Sequence, residues 1–270
     1  MRITSYRSSP DAFYVNSHLI ELDQSVIVVD TQFVLPEAEN LLREVKRIGK
    51  PVVAIFLTHP HPDHVNGTAV LLREWPKAKV YATETTANAI REIAEPKRQQ
   101  WKPLLGDAYP DSVVLPDVML GSGGTVTIEG TTFRFEDMGP MESINESLIY
   151  VDGHDLIFAG DLFYNKVHPW MVEGRSVPWR AQLVALLPHL SESVTLYVGH
   201  GEPATREDLK AQIAYMDYFF DRIKEGDSQT NGETFRQHVL SSVKGRYPNW
   251  PLEMLIEMNL GAVAEELRDA

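Results

Sequence analysis

The chain has 270 residues, enough for one large domain or two small ones with a substantial core, and carries 25 Lys+Arg against 38 Asp+Glu. Its formal charge of −13 argues against a nucleic-acid backbone as partner, because such binding needs a basic face. With no cysteine, disulfides and thiolate metal sites are excluded, and any metal must be held by nitrogen and oxygen.

The N-terminal MRITSYRSSPDAFYV has no apolar signal region, and no apolar run approaches the ~20 residues of a membrane span. A cytoplasmic protein with no membrane partner is expected, although a periplasmic mature chain is compatible with the missing cysteines. FYVNSHLIEL and SVIVVDT read as paired strands turning at Asp23-Gln24. PEAENLLREVKRIG reads as a helix, with Pro36 at its start, Gly49 at its end, and Leu41, Leu42, Val45 and Ile48 on one face. VVAIFLT is a continuous apolar run of strand length, the signature of a buried central strand. It runs into LTHPHPDHVNG, where three histidines and an aspartate lie within six residues and two prolines exclude a regular strand or helix interior.

Beyond that loop, VNGTAVLLREWP and ETTANAIREIAE are expected to be helices and KVYAT a short strand between them. The segment 96–112, with Trp101, Pro103, Gly106 and Pro110, reads as a long irregular loop, a lid candidate together with 163–180. Strands follow at Thr125–Ile128, Thr131–Glu136, Ser147–Val151, Asp155–Ala159 and in VTLYVGHG. From about Thr205 the pattern is helical only, an appendage or an oligomerisation surface that allows a homodimer. Residues 1–204 are thus expected to form the main domain and 205–270 a helical extension packed on or beside it. The fold class is α/β, strands mixed with helices that cover the sheets.

Metal-competent residues gather at three strand ends, where sites are usually built. His59, His61, Asp63 and His64 follow VVAIFLT, Asp161 follows LIFAG, and His200 follows LYVG. A lone histidine is more often structural, but this set needs a common reason. His59-x-His61-x-Asp63-His64 resembles the H-x-H-x-D-H signature of the metallo-β-lactamase-fold hydrolases. Phe158-Ala-Gly160-Asp161 resembles that family's bridging-aspartate segment, and Gly199-His200-Gly201 its last histidine motif, in matching order over roughly 12–201.

The resemblance implies a four-layer αβ/βα sandwich of two mixed β-sheets flanked by helices, and two divalent ions, zinc by family habit. His59 and His61 would hold one ion, Asp63, His64 and His200 the other, and Asp161 would bridge them. Such ions, about 3.5–4 Å apart, lower the pKa of water to about 7 and clamp a substrate oxygen. One departure stands out. The family's third histidine for the first ion falls nineteen residues before the bridging aspartate, where this chain has Glu142 within Met138-Gly-Pro-Met-Glu142-Ser143. Glu142 is the expected third ligand, and its oxygen tilts that site towards harder ions such as Mn²⁺ or Fe²⁺.

Tyr164 sits three residues after Asp161, as does a metal-facing tyrosine in lactone-hydrolysing relatives, and is expected to hydrogen-bond a developing oxyanion. Asp63 is expected to relay the proton. Trp101, Phe163, Trp170 and Trp179 are candidates for an aromatic rim suited to a partly apolar substrate, whereas Lys166, Arg175 and Arg180 read as solvated and His18, His154, His168, His189 and His238 as bystanders. The expected function is metal-dependent hydrolysis of a small molecule with a carbonyl group: a carboxyl ester, lactone, thioester or amide, with ester or lactone favoured. The alternatives are a di-iron redox protein, disfavoured because the first-loop glutamate and flavin partner domain typical of that branch are not seen, and a metal-binding scaffold whose C-terminal helices bind a partner.

Overall fold

The computed structural model describes residues 1–227 and 232–269. Two mixed sheets pack face to face. The first is built from β1 (Arg2–Arg7), β2 (Asn16–Glu21), β3 (Val26–Val29), β4 (Val52–Phe56), β5 (Lys79–Thr83) and β6 (Val118–Leu120), adjacent in that order. Strands β1 to β3 pair antiparallel and β3 to β6 parallel. The parallel steps need helical crossovers. These are α1 (Leu35–Ile48), then α2 (Pro62–Val65) with α3 (Thr68–Glu74), then α4 (Glu84–Leu105). The second sheet takes β7 (Gly124–Ile128), β8 (Thr131–Gly139), β9 (Glu146–Val151), β10 (Leu156–Asn165) and β11 (Thr195–Gly201) in sequential order; only β10 and β11 run parallel, around α5 (Ser176–Leu186). Helices α6 (Arg206–Asp227), α7 (Gly232–Arg246) and α8 (Met254–Asp269) follow.

Period-2 alternation places one face of each sheet in the middle layer. There Phe56 from the first sheet meets Phe133 and Phe135 from the second, edge to face with both centroid separations 5.1 Å, among Ile20, Ile27, Val29, Ile149 and Phe158. On the outer face of the first sheet, Leu41, Leu42 and Val45 of α1 meet Val28, Ile55 and Leu57. On the outer face of the second sheet, Ala159, Leu196 and Val198 share one cluster with Leu183 of α5, Tyr215 and Phe219 of α6, Val239 of α7 and Leu255, Ile256 and Val263 of α8. The result is the expected α/β four-layer sandwich, with α6 to α8 continuous with its second outer layer. Residues 228–231 and 270 of the expected extension lie outside the described residues.

Several expectations need correction. The segment 96–112 is largely helix: α4 continues through Pro96 and Pro103 to Leu105. Pro96 frees the carbonyl of Glu92, but Glu92 is exposed, so that carbonyl is open to solvent. The packing of Trp101 against Phe13 and Phe33 holds the later turns in place, a tertiary contact overriding a local breaker. β2 begins at Asn16 rather than Phe13, because Phe13 and Tyr14 take left-handed φ values of 64° and 57°. VNGTAVLLREWP is split, with α2 ending at Val65 and α3 starting at Thr68. β1 is an edge strand with one larger apolar or aromatic side chain on each face, Ile3 and Tyr6, so it shows no alternation to read.

Candidate metal centre

The histidine loop leaves β4 at the C-terminal end of the parallel strands. Pro62 takes an early position of α2, where its missing N–H costs nothing, and this turn brings His64 back beside His59, their ring centroids 4.1 Å apart. Asp161 and Tyr164 are not at a strand end but inside β10. Its pairing with β11 slips between Phe158 and Gly160 and again between Gly160 and Tyr164. The bulge turns Asp161 towards the loop while the strand continues. Gly160, at φ +49°, and Gly199 are required by this crowding: a Cβ on Gly199 would lie 1.8 Å from Asp161 Oδ1, and one on Gly160 2.4 Å from Thr58 Oγ1.

Three overlapping groups of ligand atoms result, one of them Asp30 with His59 and His64. His59, His61 and Glu142 offer one set within 4.8 Å of one another, and Asp63, His64, Asp161 and His200 another. Within the second, Asp161 lies 3.4 Å from His64 Nε2 and 3.2 Å from His200 Nε2, and Asp63 Oδ2 lies 3.3 and 3.4 Å from the same atoms. His59 Nε2 stands 4.0 Å from Asp161 Oδ2, placing Asp161 between the groups. In the first, His61 Nδ1 is 3.1 Å from Glu142 Oε2. All seven residues expected from the sequence are therefore brought to one place.

The outer ring nitrogens are anchored, which decides where the inner ones point. His64 Nδ1 is 2.9 Å from Asp30 Oδ2, His200 Nδ1 2.8 Å from the carbonyl of Phe13, and His59 Nδ1 3.0 Å from Thr58 Oγ1. Asp30 also accepts from the N–H and hydroxyl of Thr58, and its own φ is +60°. Sequence reading missed Asp30, although its place at the end of the apolar SVIVVD run is the kind of signal used for Asp161. Glu173 was missed as well: its Oε1 lies 3.4 Å from His61 Nε2 and accepts from Lys97 Nζ at 2.8 Å.

Charge is balanced by protons where no cation enters. Burial opposes charge on His61, but Glu142 and Glu173 outweigh it and hold that imidazole up to about 10. Burial likewise opposes charge on His200, where Asp161 and Asp63 raise it to about 10. His64 is held well above the ordinary range, its burial overcome by Asp161, Asp63 and Asp30. His59 goes the other way, pushed well below by burial and by His64. Asp63 and Asp161 stay ionised because their histidine partners outweigh burial.

The fit to a cation follows from what is left unsatisfied. His59 Nε2, His64 Nε2, Glu142 Oε2 and Asp161 Oδ1 are buried without an aligned hydrogen bond. Each such atom costs about 1–3 kcal/mol, and four turned towards one volume suit a divalent ion, which binds by displacing protons. An all-nitrogen-and-oxygen donor set is what such an ion needs in a chain without cysteine.

Tyr164 is 4% exposed and stacks on His200 with centroids 5.1 Å apart. Its hydroxyl donates to Asp161 Oδ2 at 2.6 Å and lies 3.3 Å from Glu142 Oε1, so it joins the two groups. Burial, then Asp161 and Glu142, push the phenol well above its usual range.

The site forms the floor of a cavity partly open to solvent. Of the expected aromatic rim, Trp101 and Trp170 line it. Phe163 and Trp179 are each 1% exposed in the core, Trp179 donating to the carbonyl of Leu162. Helix α5 buries Trp179, where the sequence suggested a loop. Arg180 pairs with Asp217, Arg175 lies near Glu173, and exposed Lys166 is 3.8 Å from Asp208. His18 and His168 are buried and hydrogen-bonded elsewhere, while His154, His189 and His238 are exposed.

Among the described residues, no helix is long and apolar enough to cross a membrane. The sequence profile described as the Metallo-beta-lactamase superfamily matches residues 10–201. A hydroxyacylglutathione hydrolase of Xylella fastidiosa (strain M12) is 28% identical over 172 residues, 63% of this chain and 54% of that protein. A linear primary-alkylsulfatase of Pseudomonas sp. (strain ATCC 19151) is 36% identical over 72 residues, 25% of this chain and 14% of that protein. The match therefore spans about half the length of such curated relatives, or less. A crystal structure of a metallo-beta-lactamase family protein from Thermus thermophilus superimposes with a TM-score of 0.66 at 21% identity, covering 94% of this chain and 88% of that one, a likeness of fold. With the profile covering most of the chain, and with the sandwich and the clustered histidines and carboxylates in hand, this chain belongs to the metallo-beta-lactamase superfamily.

Proposed function

We propose that this chain is a metal-dependent hydrolase holding two divalent ions, the first on His59, His61 and Glu142 and the second on Asp63, His64 and His200, with Asp161 between them. The observation that carries the reading is the convergence of buried, unpaired ligand atoms from both groups on the floor of one cavity. Two ions bound there supply Lewis acidity and a water-derived nucleophile at neutral pH. The rest falls to the chain's own residues.

Asp63, with 17% of its side chain exposed, is the ligand carboxylate most open to the cavity and serves to take the proton of the attacking water and pass it to the leaving oxygen. Tyr164 keeps its proton at neutral pH and is a donor, not a nucleophile. A substrate oxygen on the cavity floor competes with Asp161 for that proton as negative charge develops on it. The aromatic and aliphatic lining excludes water from the carbonyl under attack.

The substrate is a small molecule with a carbonyl, an ester or lactone before a thioester or amide. Three acidic ligands against four positive charges leave the site less electrophilic than a histidine at position 142 would, and favour Mn²⁺ or Fe²⁺ beside the zinc habitual in such folds. The test is a metal count with an activity panel: protein loaded with Zn²⁺, Mn²⁺ or Fe²⁺ against a chromogenic ester, a lactone, a lactam, a thioester and, because of the alkylsulfatase relative, a primary alkyl sulfate. About two ions per chain with cleavage of the ester or lactone is the expected result. Two filled sites and no turnover on any substrate would overturn it in favour of a metal-binding scaffold.

A further inference from the structure

Leu252 and Leu255 lie some fifty residues beyond the last residue matched by the superfamily profile, yet both line the cavity over the metal-side residues. They are held there by a chain of buried polar contacts. Asn259 of α8, fully buried, accepts from the N–H of Met171 at 2.8 Å and donates to the carbonyl of Pro169 at 2.9 Å, so it brackets Trp170. Glu266 of the same helix accepts from the N–H groups of Ser176 and Val177 at 3.0 and 2.9 Å. The N–H of His168 donates to the carbonyl of Pro251 at 3.2 Å, fixing the residue before Leu252, whose φ is +64°. A left-handed leucine is costly, and such strain concentrates where a surface is being positioned. α8 and the loop after β10 therefore set Trp170, Leu252 and Leu255 as one wall. Phe13, Phe33 and Trp101, edge to face at 5.2 to 6.0 Å, form another.

The charge on these walls is as informative as their shape. Lys97 is the one lysine or arginine lining the cavity among the described residues, and its ammonium is already bonded to Glu173 at 2.8 Å. An anionic group on a substrate that reached for Lys97 would have to displace Glu173. A glutathione thioester, with two carboxylates, finds no free lysine or arginine among the described residues lining the cavity.

Building on the hydrolase reading above, we propose that Leu252, Leu255 and Trp170 form a subsite for an uncharged, unbranched apolar chain carried by the substrate. The C-terminal segment is thereby specificity-determining, and long-chain neutral acyl compounds are preferred over short-chain or glutathione-linked ones. Full burial of a methylene is worth about a fourfold gain in affinity.

The test separates the two readings by measuring binding without turnover. Full-length protein is titrated with 1-butanol, 1-hexanol and 1-octanol, following tryptophan fluorescence, since Trp101 and Trp170 border the cavity. Affinity is expected to rise by about two- to fourfold per methylene. Metal-loaded protein should show kcat/KM rising from an acetyl to a hexanoyl to a decanoyl ester, with S-lactoylglutathione the poorest substrate. Leu255→Ala should flatten both slopes, and Leu255→Phe, which fills the subsite, should abolish the gain at octanol. Melting curves screen both variants for folding, and the wild-type slope needs no variant. A flat alkanol series, or a slope unchanged in Leu255→Phe, overturns the subsite even if esters are cleaved. A steep, Leu255-dependent series, with both metal sites filled and no turnover on any substrate of the panel above, upholds the subsite and overturns the hydrolase reading.

Discussion

The floor and the wall of the cavity are built on opposite plans. The seven ligands expected from the sequence lie within residues 59–200, inside the span matched by the superfamily profile; six are buried, Asp63 is half-buried, and the four histidines are anchored from behind. The wall draws on Phe13, Phe33, Trp101, Trp170, Leu252 and Leu255, residues up to 242 positions apart, and is held by packing and by the buried amide of Asn259. Chemistry that needs a fixed charge geometry is encoded in short local motifs. Recognition of an apolar chain needs only surface, which any passing element can provide.

If the floor acts as one unit, its central residue should matter most. Asp161→Asn removes a negative charge shared by both groups while keeping the shape. The expected outcome is loss of activity to background and of most bound metal, read by elemental analysis after desalting. Wild-type metal content in that variant would break the picture of a joined floor. Glu142→Ala comes next: the first group keeps only His59 and His61, and metal content should fall from about two ions per chain to about one. A count that starts at one and stays there in the variant would remove Glu142 from the ligand set.

Glu173 stands where floor and wall meet, reaching from the loop of Trp170 to the outer nitrogen of His61. Glu173→Gln keeps the size and removes the charge that orients that ring. Outer partners of metal-ligating histidines are worth about 10- to 100-fold in metal affinity or activity. A loss in that range, measured by chelator competition, with the alkanol slope retained, would assign Glu173 to the floor. A change in the slope instead would assign it to the wall.

The floor was largely readable in advance because a ligand set leaves residues of rare type at fixed local spacing. His59, His61, Asp63 and His64 fall in one loop, and Asp161 and His200 each follow an apolar strand. Two of its parts escaped for separate reasons. Asp30 looks like any polar residue after a strand until its 2.9 Å contact with His64 is seen, and Glu173 sits in a segment with no periodicity. The wall was hardly readable. Trp170 and Trp179 both read as rim aromatics, and only the third dimension tells that Trp179, on the buried face of α5, is 1% exposed. Leu255 follows the same apolar spacing as the rest of α8, and nothing local distinguishes a leucine facing a cavity from one facing the core. The helical course through Pro96 was missed because a proline is a strong local signal, and the contacts of Trp101 with Phe13 and Phe33 that outweigh it are distant in sequence.

The smallest expected effect concerns acid, and it divides the two regions through their buried neutral histidines. His168 backs the wall: burial lowers it to about 4, its Nδ1 lies 2.8 Å from the Tyr215 hydroxyl, and its N–H holds Pro251. His18 lies in β2 behind the floor, lowered by burial to about 3, with Nε2 3.1 Å from the carbonyl of Val198. Each has a folded-state pKa below its unfolded value of about 6.5, so between those values the unfolded chain binds a proton that the folded chain refuses. Stability is therefore full above about pH 6.5 and falls as pH drops, towards pH 4 for His168 and towards pH 3 for His18. For His168 the loss is of order 2 kcal/mol by pH 4.5. Urea unfolding midpoints at pH 7.5, 6.0 and 4.5 should thus decline in the wild type and decline less in His168→Gln. If the wall is the looser of the two regions, that variant should recover the alkanol slope at pH 5 without improving metal retention. Recovery of metal retention instead would mean that acid acts on the floor first.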